Sequence, residues 1–487
     1  MTTPVLVGWH ALNRRDADVG DALEAADLMT IAAKAAIPGH LRGAVDWIGA
    51  TEGLTRYADP ARLVGDRLGA HTAHTVLAKI GVMQQSLIAG ACDALQRGKS
   101  QLALVIGGEA HYRHVRTAAA GRPVEITAQP DGTTPDETWS SDDFDQNMAH
   151  PAEAAAGLRA TPGYYALVDS QWRSALGRTP AAQRAAIGTL YQRFSEIAAQ
   201  NPRSVRAKPL TAGQIVTPAA ANPMIAFPYT KMMTTTWTVD QSCALLFTTT
   251  EHAEALGIPS HLWRYPVIAT ESNHVVPVAA RTRLSQPASI RIMADTITRH
   301  TGVDTADIEA IDLYSAFPAP VMIGAHGLGV PPERDLTLTG GMSFAGGPLN
   351  SYLFHAVAAA ANRLSDGSAR ALLSCVSGYY SKQGLLMLSA QPPGRQFEVV
   401  DVTAEVARAE PAVPIDGEPT GPGRVIAYTV LYEEDRPERA VVIVDLDTGM
   451  RAVARNHDSA VLHAATTEDL IGRTVLVDRE LFELARG

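Results

Sequence analysis

The chain has 487 residues, more than one hydrophobic core can serve, so two or three domains are expected. Its 46% hydrophobic and 19% charged residues are those of a soluble globular protein rather than a disordered or fibrous one. A formal net charge of −10, with no Lys/Arg cluster set against it, argues against a nucleic-acid or anionic-membrane partner.

The opening residues read as a strand, Val5-Leu6-Val7, then a turn, without the basic start and long apolar run of a signal peptide. No stretch stays apolar for about 18 residues, so no membrane span is expected. Gly81-Val82-Met83 leads into an amphipathic helix with Met83, Leu87, Ala91 and Leu95 at i+4 spacing, and Gly98 suits its C′ position. Leu102 to Ile106 then reads as a fully buried strand ending at Gly107-Gly108-Glu109. From about Gly121 to Asp145 the chain is polar, acidic and rich in Thr, Pro and Asp, a surface loop by composition. Ala181 to Ala199 reads as a helix stopped by Asn201-Pro202. This middle region is expected to be an excursion over a scaffold, where ligand-contacting loops tend to sit.

A second glycine turn, Gly346-Gly347-Pro348, leads into a helix from about Asn350 to Leu364, with Asn350 or Ser351 as N-cap and Gly367 beyond its end. Ala371-Leu372-Leu373 opens another buried strand, ending near Gly378. Glycine turn, helix and buried strand therefore occur twice, which suggests a duplicated α/β unit. After Gln391-Pro392-Pro393-Gly394 the composition changes. Val425 to Tyr432 alternates as a half-buried strand, Ala440–Asp445 and Arg451–Arg455 flank the hairpin turn Asp447-Thr448-Gly449, and Thr474 to Val477 is another strand. A small β-barrel-like domain is expected there. The cysteines Cys92, Cys243 and Cys375 are odd in number and far apart, neither a disulfide framework nor a zinc spacing, so no metal is expected and a reducing cytoplasm fits.

Four segments together resemble the thiolase superfamily, and more closely its thiolase-like proteins of type 1, relatives of sterol-carrier-protein-2 thiolase. Gly81 through Glu109 matches, without a gap, the stretch from the nucleophile motif to the Gly-Gly-x-Glu strand end. Asn222-Pro223-Met224-Ile225-Ala226-Phe227-Pro228-Tyr229-Thr230-Lys231, followed by Val239-Asp240, resembles the return of the loop domain. Asp312-Leu313-Tyr314-Ser315-Ala316-Phe317-Pro318 sits where thiolases carry Asn-Glu-Ala-Phe or His-Asp-Cys-Phe. Gly346-Gly347-Pro348 stands in place of Gly-His-Pro, and Cys375-Val376-Ser377-Gly378 in place of Cys-x-Gly. The resemblance covers about the first four-fifths of the chain. It implies a five-layer αβαβα fold of two similar halves, with an inserted loop domain and an added C-terminal OB-like β-rich domain. The corresponding division is 1–257 with the insertion at about 119–235, then 258–395, then 396–487. The helices from about Met83 and about Asn350 should lie side by side in the central layer.

The resemblance also implies that the thiolase chemistry is lost. Thiolysis needs a thiolate at a helix N-terminus, where the dipole and free amides stabilise it. The matching residue is Gly81, and Cys92, near the helix middle, reads as a small buried hydrophobe. The family histidine that activates the nucleophile and holds the thioester oxygen is matched by Gly347, and the residue ordering the second oxyanion site by Tyr314. Cys375 alone keeps its chemical identity, that of the acid/base cysteine, with no acyl-cysteine to act on. His355, on the face of the second helix, reads as a helix histidine with satisfied hydrogen bonds or as a base. Lys382, near Tyr379 and Tyr380, reads as solvated or as an attractor of phosphate or carboxylate.

The function implied is binding of CoA or an acyl-CoA in lipid metabolism, without acetyl-CoA acetyltransferase activity and without a required cofactor. Gly81 and Gly347 would leave room for the thioester end. The substrate-binding candidates are Tyr314, Phe317, Asn350, His355 and Lys231, and Lys208, Arg203, Arg206 and Lys231 are the cations available in or beside the excursion. Two other readings stand beside it: an acyltransferase or thioesterase using Tyr314, His355, Cys375 or a bound water, and a scaffold that recruits a lipid-metabolic protein through the C-terminal domain. The type 1 resemblance favours a monomer.

Overall fold

A computed structural model describes residues 2–15 and 18–485. Two sheets repeat one plan. The first runs in the order Pro4–Asn13, Asp240–Thr249, Ala103–Ala110, Trp47–Thr51, His74–Ala78, Glu137–Trp139. The second runs Tyr265–Ser272, Lys382–Ser389, Arg370–Ser377, Ala310–Asp312, with Glu398–Asp401 added beyond Tyr265–Ser272. In each, the half's first strand pairs antiparallel with its last core strand, which pairs antiparallel with the strand before it; the next neighbour is parallel. This shared order and direction make the halves duplicates, as the two glycine turns suggested. Glu398–Asp401 joins the second sheet although it lies beyond Gly394, where the composition changes.

The helices Gln84–Gln96 and Tyr352–Ser365 lie between the sheets. Each is apolar around most of its circumference, which suits a central layer rather than a surface. Ala356, Ala358, Ala360 and Ala361 keep the second thin enough to fit between sheets. They adjoin at their starts, where Gln84 Oε1 accepts a hydrogen bond from the Leu353 N–H at 2.6 Å. Ala25–Ala36 and Pro60–Leu68 pack on the outer side of the first sheet, and Pro287–Thr301 covers the second. The five-layer thiolase arrangement follows.

The C-terminal part closes on itself. Thr420–Glu433 pairs with Arg436–Leu446, which pairs with Arg451–Asn456; that strand meets Leu481–Leu484, which pairs with Thr474–Asp478 and so returns to Thr420–Glu433. This is a five-stranded OB-like barrel with the helix Ser459–Thr467 between its third and fourth strands. The expected hairpin is present, with Gly449 at φ +80° in its turn. The barrel is tied to the excursion by the side chain of Arg173, 3% exposed, which makes two bonds to Asp469 at 2.6 and 2.7 Å. Arg451 donates to the Ala279 carbonyl at 3.1 Å and fastens the barrel to the second half.

The excursion is helical, with Thr161–Ala175 and Pro180–Gln200 as its main elements. Its polar opening loop does more than cover surface. Glu137–Trp139 adds a parallel strand to His74–Ala78, at the edge of the first sheet. Trp139 lies over Gly90, where any Cβ would collide with its ring. Among the described residues no helix is long and apolar enough to cross a membrane.

Candidate functional site

The four positions matching thiolase catalytic residues are filled rather than empty. Gly81 has φ +105°, and a Cβ there would lie 2.8 Å from Cδ1 of Phe144. The same ring lies against Gly378, where a Cβ would be 3.0 Å from its Cε2. Phe144, on the short helix Asp142–Asn147, is thus wedged between the nucleophile position of the first half and the end of the second half's cysteine strand. Lys382 holds this arrangement from beneath: its buried Nζ donates to the Gly81 carbonyl at 2.7 Å and to Ser141 Oγ at 3.0 Å. The lysine read as a solvated or ligand-attracting charge is instead part of the closure.

Gly347 is likewise overlain. A Cβ there would collide with Cγ2 of Thr235 and stand 3.2 Å from Cε of Met342. The room expected at Gly81 and Gly347 is therefore taken by Phe144, Thr235 and Met342, because a packed interior does not keep such a vacancy. The helix starts are occupied too, since one amide that could hold an anion, Leu353 N–H, is bonded to Gln84.

Cys375 is 2% exposed, and its Sγ donates to Gln85 Oε1 at 3.4 Å. Burial pushes its thiol up to about 12, far from a reactive thiolate at neutral pH. Burial also raises Tyr314 to about 12, its hydroxyl pairs with that of Tyr165, and its N–H donates to Ser374 Oγ at 2.8 Å. Phe317 stacks on Tyr165 with ring centroids 4.4 Å apart. Tyr314 and Phe317 are thus packed against the excursion. Asn350 sits in the short turn Leu349–Ser351 before the second helix, with a buried Nδ2 lacking a partner among the described residues. Lys231 is exposed, in the turn Lys231–Met233, and does not join these residues.

His355 lies elsewhere, in an open cleft of about 510 Å³ between the first strand, the second central helix and the excursion. Trp9, Arg203, Gln241, Gly346 and Tyr352 line it with His355; Gly81, Tyr314, Gly347 and Cys375 do not. His355 is 8% exposed and its Nε2 has no hydrogen-bond partner among the described residues. Burial, then the charge of Arg203, lowers its pKa to about 3, so the ring is neutral at physiological pH. The expectation of a satisfied helix-face histidine does not hold. Gln241 Nε2 donates to the Ala345 carbonyl at 2.8 Å, but its Oε1 is buried without a partner among the described residues. Two orphaned polar atoms in one cleft call for a ligand or water, since buried polar groups are normally bonded. The sequence hinted at Gln241 only as a polar residue in an otherwise buried strand.

The family model for the thiolase-like protein type 1 additional C-terminal domain matches residues 401–480. A monomeric SCP2-thiolase-like protein type 1 from Mycobacterium smegmatis is 27% identical over 99% of both chains, with a TM-score of 0.82. The chain thus shares the thiolase-like fold over its length, and residues 401–480 match the additional C-terminal domain of the type 1 proteins. The likeness to the Mycobacterium smegmatis protein runs through both the core and the barrel of this chain. An Ltp2-ChsH2(DUF35) aldolase (15% identity, 80% of this chain and 98% of that one, TM-score 0.61) shares the fold. So does the dimeric peroxisomal thiolase of Saccharomyces cerevisiae (13%, 80% and 98%, TM-score 0.56). No curated protein matches this sequence.

Proposed function

We propose that this thiolase-like protein binds CoA or an acyl-CoA in the cytoplasm, in lipid metabolism, and performs neither thiolysis nor condensation. The observation that carries the proposal is the Phe144 ring set against Gly81 and Gly378, while a separate open cleft remains between core and excursion. Of the cations named from sequence, Arg203 is the one that lines this cleft, between core and excursion, and it suits a CoA phosphate. Gln241 Oε1 suits an amide N–H of the pantetheine arm, and the neutral His355 ring can donate to an amide carbonyl. A ligand held there is kept apart from Cys375.

The altered-enzyme reading is less well supported. A thiol raised to about 12 and an imidazole lowered to about 3 are both far from the neutral range that acid–base catalysis uses. A monomer suits the geometry, because the edge of the first sheet, in the half through which thiolases pair, is occupied by Glu137–Trp139.

Calorimetry with CoA, acetyl-CoA and a medium-chain acyl-CoA, beside a thiolysis assay with acetoacetyl-CoA and CoA, tests the proposal. Binding tighter than about 1 mM is expected. It should weaken about tenfold in Arg203→Ala, as for a lost charge-assisted bond. Thiolysis should match buffer. Failure of all three ligands to bind would end the acyl-CoA reading and leave the scaffold reading through the barrel. Turnover abolished by Tyr314→Phe or Cys375→Ala would instead support the altered enzyme.

A further inference from the structure

A second cleft, of about 350 Å³, lies between the excursion helices Thr161–Ala175 and Pro180–Gln200 and the helix Pro318–Gly327 of the second half. Leu190, Met322, Val330 and Leu336 give it an apolar wall. Trp172 forms part of the lining, with the edge of His326 against it at 5.0 Å and 74°. Trp172 is only 6% exposed, yet its Nε1–H has no hydrogen-bond partner among the described residues. An indole nitrogen can only donate, so whatever completes it must be an acceptor. A buried Trp normally finds such a partner.

The charges around the cleft narrow the choice. Arg193 donates through Nη1 and Nη2 to the backbone carbonyls of Glu333 and Pro332, while its buried Nε has no partner among the described residues, and Glu333 is exposed at the rim. Among the described residues Arg178 makes one side-chain hydrogen bond, to Gln183 Oε1 at 3.2 Å, which leaves most of its guanidinium donors for another group. An unfilled neutral donor, a nearby guanidinium and an apolar wall form the usual plan of a small-molecule site, mostly apolar with a few convergent polar groups. The volume is at the small end of the range for such sites.

We infer that this cleft binds a medium-chain carboxylate, its headgroup accepting from Trp172 Nε1 and Arg178 and its tail lying on the Leu190–Leu336 wall. The site shares no lining residue with the Arg203 cleft and is independent of the function proposed above.

Octanoate is the probe, and octanol its neutral counterpart. Both are titrated into the full chain by calorimetry, with tryptophan fluorescence as a second readout. Octanoate should bind at about 1 mM or below and change the fluorescence. Trp172→Phe keeps an aromatic ring, smaller than the indole, and removes the donor; Arg178→Ala removes the guanidinium at a half-buried position. Each should weaken octanoate about tenfold, as for loss of one bond to a charged group. Octanol should bind more weakly, and Arg203→Ala should leave octanoate binding unchanged. Absence of octanoate binding, equal binding by octanol, or wild-type binding by Arg178→Ala would overturn the inference. Loss of octanoate binding in Arg203→Ala would also overturn it, by placing the molecule in the other cleft.

Discussion

Restoring the thiolase cysteine tests whether the nucleophile position is closed or merely vacant. Gly81→Cys puts a Cβ on a residue at φ +105°, outside the region that L side chains readily adopt. Strain of this kind costs about 1–3 kcal/mol. The new Cβ also meets Phe144 at 2.8 Å from Cδ1 and 2.9 Å from Cγ, inside the ~3.5–4.0 Å of ordinary carbon contact. The ring cannot retreat freely, because its other edge lies against Gly378. Overpacking of this sort costs about 1–3 kcal/mol. We therefore expect Gly81→Cys to lose about 4 kcal/mol in urea denaturation. Adding Phe144→Ala removes the collision but leaves the backbone strain, so the double variant should be more stable than the two single costs combined imply, by about 1–3 kcal/mol. Thiolysis should stay at buffer level in both. A lost oxyanion donor alone costs ~3 kcal/mol of barrier, and Gly347 supplies none. A Gly81→Cys variant as stable as the parent, or strictly additive effects with Phe144→Ala, would refute the wedge.

Two further outcomes follow from the same coordinates. Trp139→Pro removes the N–H at the position that faces His74–Ala78, together with the ring over Gly90, and should lift the strand Glu137–Trp139; light scattering should then show dimers or larger species, and an unchanged monomer would contradict the capped edge. His355 is held at about 3 against an ordinary 6.5, so the unfolded chain takes up its proton first on acidification, and the stability this residue contributes is lost as pH falls from 6.5 towards 3. His355→Gln removes that loss, and the variant should gain about 3 kcal/mol on its parent between pH 6.5 and about pH 4, which parallel urea-stability curves would disprove.

The parts of the fold that were legible are those whose signal is local. The apolar run Leu102–Ile106, the i+4 spacing after Met83 and the turn Asp447-Thr448-Gly449 each declare their geometry within a few residues, and each lies where it was read. Side-by-side placement of the two central helices was legible through the resemblance to the thiolases. The closure of the site was not. Phe144 meets Gly81 across 63 residues of chain, from a loop with no periodicity to announce its place. The available cue was compositional: Trp139 and Phe144 are large aromatics in an otherwise polar, acidic stretch, and such residues are seldom left in water. Lys382 gave a similar cue, as a charge among the residues of a buried strand.

A motif comparison records which side chains have gone and is blind to what replaced them. Gly81 and Gly347 read as space because glycine lacks a side chain, yet a close-packed interior makes a missing side chain an opening for its neighbours. Phe144 and Thr235 are those neighbours, and both come from the excursion, the part of the chain least constrained by the duplicated core. His355 and Gln241 show the converse. Each looked ordinary in sequence, a helix histidine and a strand glutamine, and what marks them is that Nε2 and Oε1 have no partner among the described residues. In this fold the loss of the old chemistry is readable position by position. The place where a ligand can still enter is set by contacts between the core and the Arg203 segment, which only the folded chain brings together.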